Sequence, residues 1–157
     1  MPFRIASAPV PDRKKYQRRM LPSRRCRKCV RQEGIPLPDA LIHDAGGNAE
    51  VLTDERCYIR ELLNDPRVPE TSLALARVDP GVTTKWHRVS VHEWYVIKEG
   101  RGRMWVGDQP PFDVGPGDSV SIPPGTPQRI ENIGAGSLAF HCICQPRFRD
   151  KVYESLE

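Results

Sequence analysis

From about Ala49 onward, apolar positions come in short runs separated by glycine and proline, and within the runs they alternate rather than recur every three or four residues. That is the period of a strand with one covered face. Thr71 to Val78 (Thr-Ser-Leu-Ala-Leu-Ala-Arg-Val) alternates large and small side chains and stops at Asp79-Pro80-Gly81, a turn signal. Glu93 to Lys98 (Glu-Trp-Tyr-Val-Ile-Lys) is aromatic and β-branched and stops at Glu99-Gly100. Arg103 to Val106 precedes Gly107-Asp108, and Phe112 to Val114 and Ser119 to Ile122 flank Gly115-Pro116-Gly117-Asp118. Gln128 to Ile133 follows Pro123-Pro124-Gly125, and Leu138 to Cys144 is closed by Gln145-Pro146. Many short strands between such turns predict a sandwich, barrel or jelly roll. Helix is expected only as one turn near Arg60 to Asn64 and a C-terminal piece from Asp150 to Leu156.

Composition changes this picture mainly at the N-terminus. The chain has 157 residues, enough for one hydrophobic core, and its 16 prolines and 12 glycines disfavour long helices. No apolar run approaches the roughly 20 residues that span a bilayer, and none of signal-peptide length precedes the first charges, so a cytoplasmic protein is predicted. Residues 1–45 carry 11 Lys or Arg against 4 Asp or Glu, whereas the remainder carries 13 against 16. The division expected is a basic, proline-rich extension over 1–45 and a mildly acidic barrel over 46–157. The cations Arg13, Lys14, Lys15, Arg18, Arg19, Arg24, Arg25, Arg27 and Lys28 follow no apolar stripe and have little aromatic interleaving, so a solvated tail is favoured over a nucleic-acid arm. Five cysteines, an odd number, argue against a full disulfide framework. Cys26 and Cys29 form a Cys-x-x-Cys pair, but zinc wants four ligands, and only His43 and Cys57 stand by to complete a set. Two reduced thiols are the expectation.

The spacing of a few residues narrows the fold. Gly81 is followed by His87, Glu93 and Gly100, and further along Gly117 is followed by Pro123, Gly125, Gln128 and Asn132. This resembles the two motifs of the cupin superfamily, G-x5-H-x-H-x3-E-x6-G and G-x5-P-x-G-x2-H-x3-N, over roughly Thr71 to Cys144. The resemblance implies an all-β double-stranded β-helix, a jelly-roll barrel, in a small single-domain protein of the cupin-2 type. It also implies a degenerate metal site. The family's ligands are two histidines and a glutamate from the first motif and a histidine from the second; here Val89 and Gln128 stand at two of those positions. His87, Glu93 and Gln128 remain as expected ligands for a divalent ion (Mn, Fe, Zn or Ni), with Glu93 also the expected catalytic residue.

Strand alternation places Glu93, Tyr95 and Ile97 on one face and His92, Trp94 and Val96 on the other, so His92 does not replace the lost ligand. A carboxylate in an apolar strand needs a cation nearby, and Arg77 is a candidate. Arg77, Tyr95, His141, Cys142 and Cys144 are the expected pocket residues. The resemblance implies an enzyme acting on a small polar metabolite, of the sugar or sugar-phosphate isomerase, epimerase or lyase type, with thiol-linked chemistry at Cys142 and Cys144 a further option. A cupin dioxygenase and a non-catalytic metabolite- or carbohydrate-binding module are the alternatives. A homodimer is expected, with the Trp94 and Val96 face or the segment around Cys57 to Leu63 at the interface, and with a small-molecule ligand as partner and neither membrane nor nucleic acid.

Overall fold

The computed structural model describes residues 48–157. The basic extension, the Cys26–Cys29 pair and His43 lie outside the described residues. Among the described residues eleven strands run in chain order: β1 (Val51–Leu52), β2 (Tyr58–Leu63), β3 (Ser72–Val78), β4 (His87–Val89), β5 (His92–Glu99), β6 (Gly102–Val106), β7 (Phe112–Val114), β8 (Ser119–Ile122), β9 (Gln128–Asn132), β10 (Leu138–Gln145) and β11 (Tyr153–Ser155). They form two antiparallel sheets, one in the order β1-β2-β3-β10-β5-β8 and the other β11-β4-β9-β6-β7. The pattern of strands and turns predicts a sandwich, barrel or jelly roll, and the all-β double-stranded β-helix is the form that the resemblance to the cupin motifs implies.

The core lies between the sheets. Each long strand contributes every second residue: Ala76 and Val78 from β3, Tyr95 and Ile97 from β5, Met104 and Val106 from β6, Ile130 from β9, and Leu138 and Phe140 from β10. Each of the larger aliphatic, Met and Phe side chains, fully buried, stabilises the fold by about 1.5–3 kcal/mol. Polar side chains in this interior sit only where they are bonded. Asn132, the motif asparagine, donates to the carbonyls of Val78 (2.9 Å) and Gly136 (2.8 Å) and accepts from the Gly134 amide at 2.9 Å. It therefore ties the end of β3 to the β9–β10 turn.

Two short helices expected from the sequence are strands instead. Tyr58 to Leu63 pairs along β3, from Tyr58 opposite Arg77 to Leu63 opposite Leu73, with a register shift between Glu61 and Leu63. Arg-Glu-Leu-Leu-Asn is a good local helix sequence, but a helix there would leave the β3 edge without its hydrogen-bond partner, and the ladder wins. At the C-terminus only Asp150–Val152 forms a 3-10 turn. Tyr153 to Ser155 then pairs with Val89 to His87 and covers the edge of β4.

The glycine that ends β5 is required by its neighbours. Gly100 has φ +85°, and a Cβ there would stand 2.5 Å from the Ser137 carbonyl oxygen and 2.7 Å from the Leu138 Cα. Gly117 has φ +93° with nothing within 4 Å of its virtual Cβ. Gly100→Ala is therefore expected to cost more than the roughly 1–3 kcal/mol of backbone strain alone, and Gly117→Ala to stay within that range. Urea denaturation of the two variants checks the order.

Candidate functional site

A cavity of about 170 Å³ opens between the sheets, and its lining draws on β2, β3, β4, β5, β10 and β11 and on the turn before β2. Most of its wall is apolar, with Ile59, Leu63, Ala76, Val89 and Phe140 among the lining. Into this wall the strands set three ionisable groups of direct interest: His87, Glu93 and Glu55.

Glu93 is 6% exposed and faces inward because β5 alternates, as the sequence pattern predicts. Gln128 Nε2 donates to its Oε2 at 2.5 Å, and the Cys144 thiol reaches Oε1 at 3.7 Å. Burial pushes the Glu93 carboxyl up to about 7, against the lowering effects of the Gln128 hydrogen bond and the nearby His87. Gln128 is itself fully buried, and its Oε1 has no partner among the described residues.

His87 is 3% exposed, and its ring stacks on Tyr153 of β11 at 5.3 Å. Its Nδ1 lies 2.9 Å from the Lys85 carbonyl oxygen, which can only accept, so Nδ1 carries the hydrogen. Nε2 is left facing Glu55 Oε2 at 3.9 Å, too far for a direct hydrogen bond. Glu55 was not legible as a site residue. It precedes both motifs, and a tight turn delivers it: the Arg56 amide donates to the Thr53 carbonyl, the Lys85 amide donates to the Glu55 carbonyl, and Arg56 sits at φ +68°. Burial raises its carboxyl above the ordinary value, partly offset by His87 and Lys85.

Cys142 and Cys144 line the cavity as expected, and Cys57 joins them. All three are free thiols. Burial pushes Cys57 and Cys144 up to about 12 and Cys142 well above its usual range, so at neutral pH none is the thiolate that a nucleophile needs. Tyr95 also lines the cavity, tilted against Phe140 at 4.6 Å. Arg77 and His141 do not. Arg77 points outward from β3, pairs with Glu50 at 2.9 Å and with Asp79, and lies over the Tyr58 ring. Phe140, Cys142 and Cys144 take the inner face of β10, so alternation turns His141 outward. His92 lies opposite Glu93, stacked on Trp94 and 2.8 Å from the Ser121 hydroxyl.

A cupin domain is matched over residues 74–144. The chain belongs to the cupin superfamily. It is 40% identical over 109 residues to the uncharacterized protein MJ1618 of Methanocaldococcus jannaschii, spanning 68% of this chain and 86% of that protein. Among solved structures it resembles oxalate decarboxylase from Bacillus subtilis, with TM-score 0.61 and 22% identity over 71% of this chain and 30% of that one. A second structure of that enzyme, concerned with its Mn(II) centres, gives TM-score 0.58 and 27% identity over 69% and 30%. The chain thus spans about a third of the decarboxylase. A cupin-like protein from Thermotoga maritima matches with TM-score 0.57 and 21% identity, over 64% of this chain and 75% of that one.

The cupin barrel raises the question of a divalent ion on His87, Glu93 and Gln128. Two cis ligands at about 2.1 Å from one ion stand roughly 3 Å apart, and a ligating amide turns its oxygen to the ion. Gln128 instead turns its N–H to Glu93 Oε2 at 2.5 Å, and its Oε1 has no partner among the described residues. Among the described residues no group of three His, Cys, Asp or Glu converges on one point. In this arrangement Gln128 presents its N–H to Glu93 and not a donor oxygen, so His87 and Glu93 are the donors the site offers, and the chemistry is derived from the chain's own groups.

Two outcomes follow. Purified protein should carry far less than one equivalent of Mn, Fe, Zn or Ni by elemental analysis, and EDTA should leave its Tm unchanged. A stoichiometric metal lost in His87→Ala would restore the three-donor centre. The second concerns pH. The Glu93 carboxyl titrates near 7 when folded and near its ordinary 4.5 when unfolded, so its contribution is intact below pH 4.5 and is lost as pH rises to 7. Above pH 7 the buried charge costs on the order of 3 kcal/mol. Glu93→Gln should be more stable than the native chain by up to about that amount at pH 8 and nearly equal to it at pH 4, as measured by urea denaturation.

Proposed function

We propose that this cupin is an enzyme of the isomerase or lyase type, moving a proton on a small metabolite held in the barrel cavity. The observation that carries the reading is Glu93: a carboxyl in the cavity lining, shielded from solvent and brought by burial to about 7, where it can both take and give a proton at physiological pH. Gln128 holds Oε2, which leaves Oε1 as the acting oxygen. His87 is a second acceptor. With its Nδ1 hydrogen on the Lys85 carbonyl, Nε2 presents a lone pair to the same cavity. A substrate carbon acidified by a neighbouring carbonyl gives its proton to one group, and the other serves the adjacent atom. The aromatic and aliphatic walls keep bulk water from competing for the carbanion.

The likeness to oxalate decarboxylase, a carbon–carbon lyase by name, supports the lyase side of this reading. A nucleophilic role for Cys142 or Cys144 is not supported, since burial keeps both protonated.

The test is exchange with solvent. The full chain is incubated in D₂O with four- to six-carbon hydroxyketones, their amino counterparts and their phosphate esters, and proton NMR follows the carbon next to the carbonyl. The native chain should exchange at least one of them, and Glu93→Gln should slow that exchange by about 10²-fold or more. Cys142→Ser should leave it within a few-fold. Exchange that survives Glu93→Gln would overturn the assignment of the proton to this carboxyl.

A further inference from the structure

We propose that the ligand of this cavity is a small organic cation, an ammonium group on a short apolar stem. The proposal rests on reading the cavity as the ligand site and is independent of whether Glu93 carries the proton.

The first argument is the charge of the lining. Among the described residues the cavity is lined by three carboxylate-bearing side chains, Glu55, Glu61 and Glu93, and by no lysine or arginine. Two nearby cations are engaged elsewhere, and Lys85, whose charge acts on Glu55, stands outside the lining. Arg77 pairs with Glu50 and Asp79 on the outer face, and Arg147 donates to Asn64 Oδ1 at 2.8 Å. Lys85 contributes its backbone to the turn, and its side chain is not in the lining. A phosphate or carboxylate ligand needs Arg, Lys or converging N–H donors, and this wall offers it carboxylates. Burying carboxylates without a counter-charge is expensive, and a cationic ligand supplies what the chain leaves out.

The second argument is geometric and concerns Glu55. His87 Nε2 has no hydrogen bond among the described residues, although the ring is 3% exposed, and Glu55 Oε2 stands 3.9 Å from it. Two acceptors at that separation are too far apart to bond each other directly. A donor nitrogen placed between them lies within hydrogen-bond distance, about 2.8–2.9 Å, of both. The position of Glu55 is built. The left-handed Arg56 turns its carboxyl inward, and the Arg56 guanidinium is anchored to Glu157 at 2.7 Å, while the Trp86 amide donates to the same carboxylate at 3.0 Å. Glu55 thus stands beside the imidazole.

The third argument is the rest of the wall. Tyr95, Phe140, Phe148 and Tyr153 contribute aromatic side chains to a cavity whose remaining surface is largely aliphatic. Ring faces attract an ammonium group, and the aliphatic wall takes its stem.

An isosteric set tests the charge. The full chain at pH 7.5 is titrated calorimetrically with 3-methylbutylammonium chloride, 3-methylbutan-1-ol and sodium 3-methylbutanoate, with sodium chloride and MnCl₂ alone as separate arms. The ammonium is expected to bind at least about tenfold more tightly than the alcohol, and the carboxylate not measurably. Glu55→Gln, confirmed folded by its Tm, should weaken the ammonium about fivefold or more and leave the alcohol unchanged. Carboxylate binding equal to that of the ammonium, an ammonium affinity untouched by Glu55→Gln, or no saturable binding of the ammonium would each overturn the proposal. So would Mn²⁺ uptake that Glu55→Gln abolishes while the ammonium fails to bind. Loss of solvent exchange in Glu93→Gln bears on the proton-transfer reading alone, so the two failures are separable.

Discussion

Glu93 and Gln128 join the two sheets inside the barrel, Glu93 from β5 in the six-stranded sheet and Gln128 from β9 in the five-stranded one. Both side chains are buried, so neither can exchange its partner for solvent without opening the sandwich. The rest of the site is placed relative to this contact. It leaves one carboxyl oxygen of Glu93 for the cavity and brings the Cys144 thiol against that oxygen. A carboxyl in this position is also a standing cost above neutral pH. The fold tolerates the cost because strands on every side hold the two residues in place.

The cavity's chemistry comes from what lines it and from what does not. A wall of aliphatic and aromatic side chains carries carboxylates and one imidazole, and the neighbouring Arg77 is spent in pairs on the outer surface. The same low polarity that raises Glu93 into the neutral range keeps the three cysteines protonated, so one physical cause makes the carboxyl useful and the thiols inert. Cys57, Cys142 and Cys144 act here as small apolar side chains that fill space near the carboxyl. Protein-wide basic charge is a poor guide to this site, because the excess of Lys and Arg belongs to residues 1–45 and the barrel has the opposite balance.

What the sequence determined by itself was the local periodicity and its consequences. Alternation in β5 decided that Glu93 and Tyr95 point inward while His92 and Trp94 point outward. The strands from Thr71 to Cys144, the cupin barrel and the inward placement of His87, Glu93 and Gln128 follow from such short-range rules together with motif spacing. Tertiary structure alone decided whatever depends on a partner distant in the chain. Tyr58 to Leu63 became a strand because β3 offered an edge, and Tyr153 to Ser155 because β4 did. Arg77 went to Glu50 and not to Glu93, and His141 faced out once Phe140 and Cys142 faced in. Glu55 carries no local signal at all: it reaches His87 across 31 intervening positions only because a strained turn and the C-terminal Glu157 hold it there. Periodicity specifies which way a side chain points, but which side chains meet depends on the pairing of strands far apart in sequence, and that is a property of the folded chain.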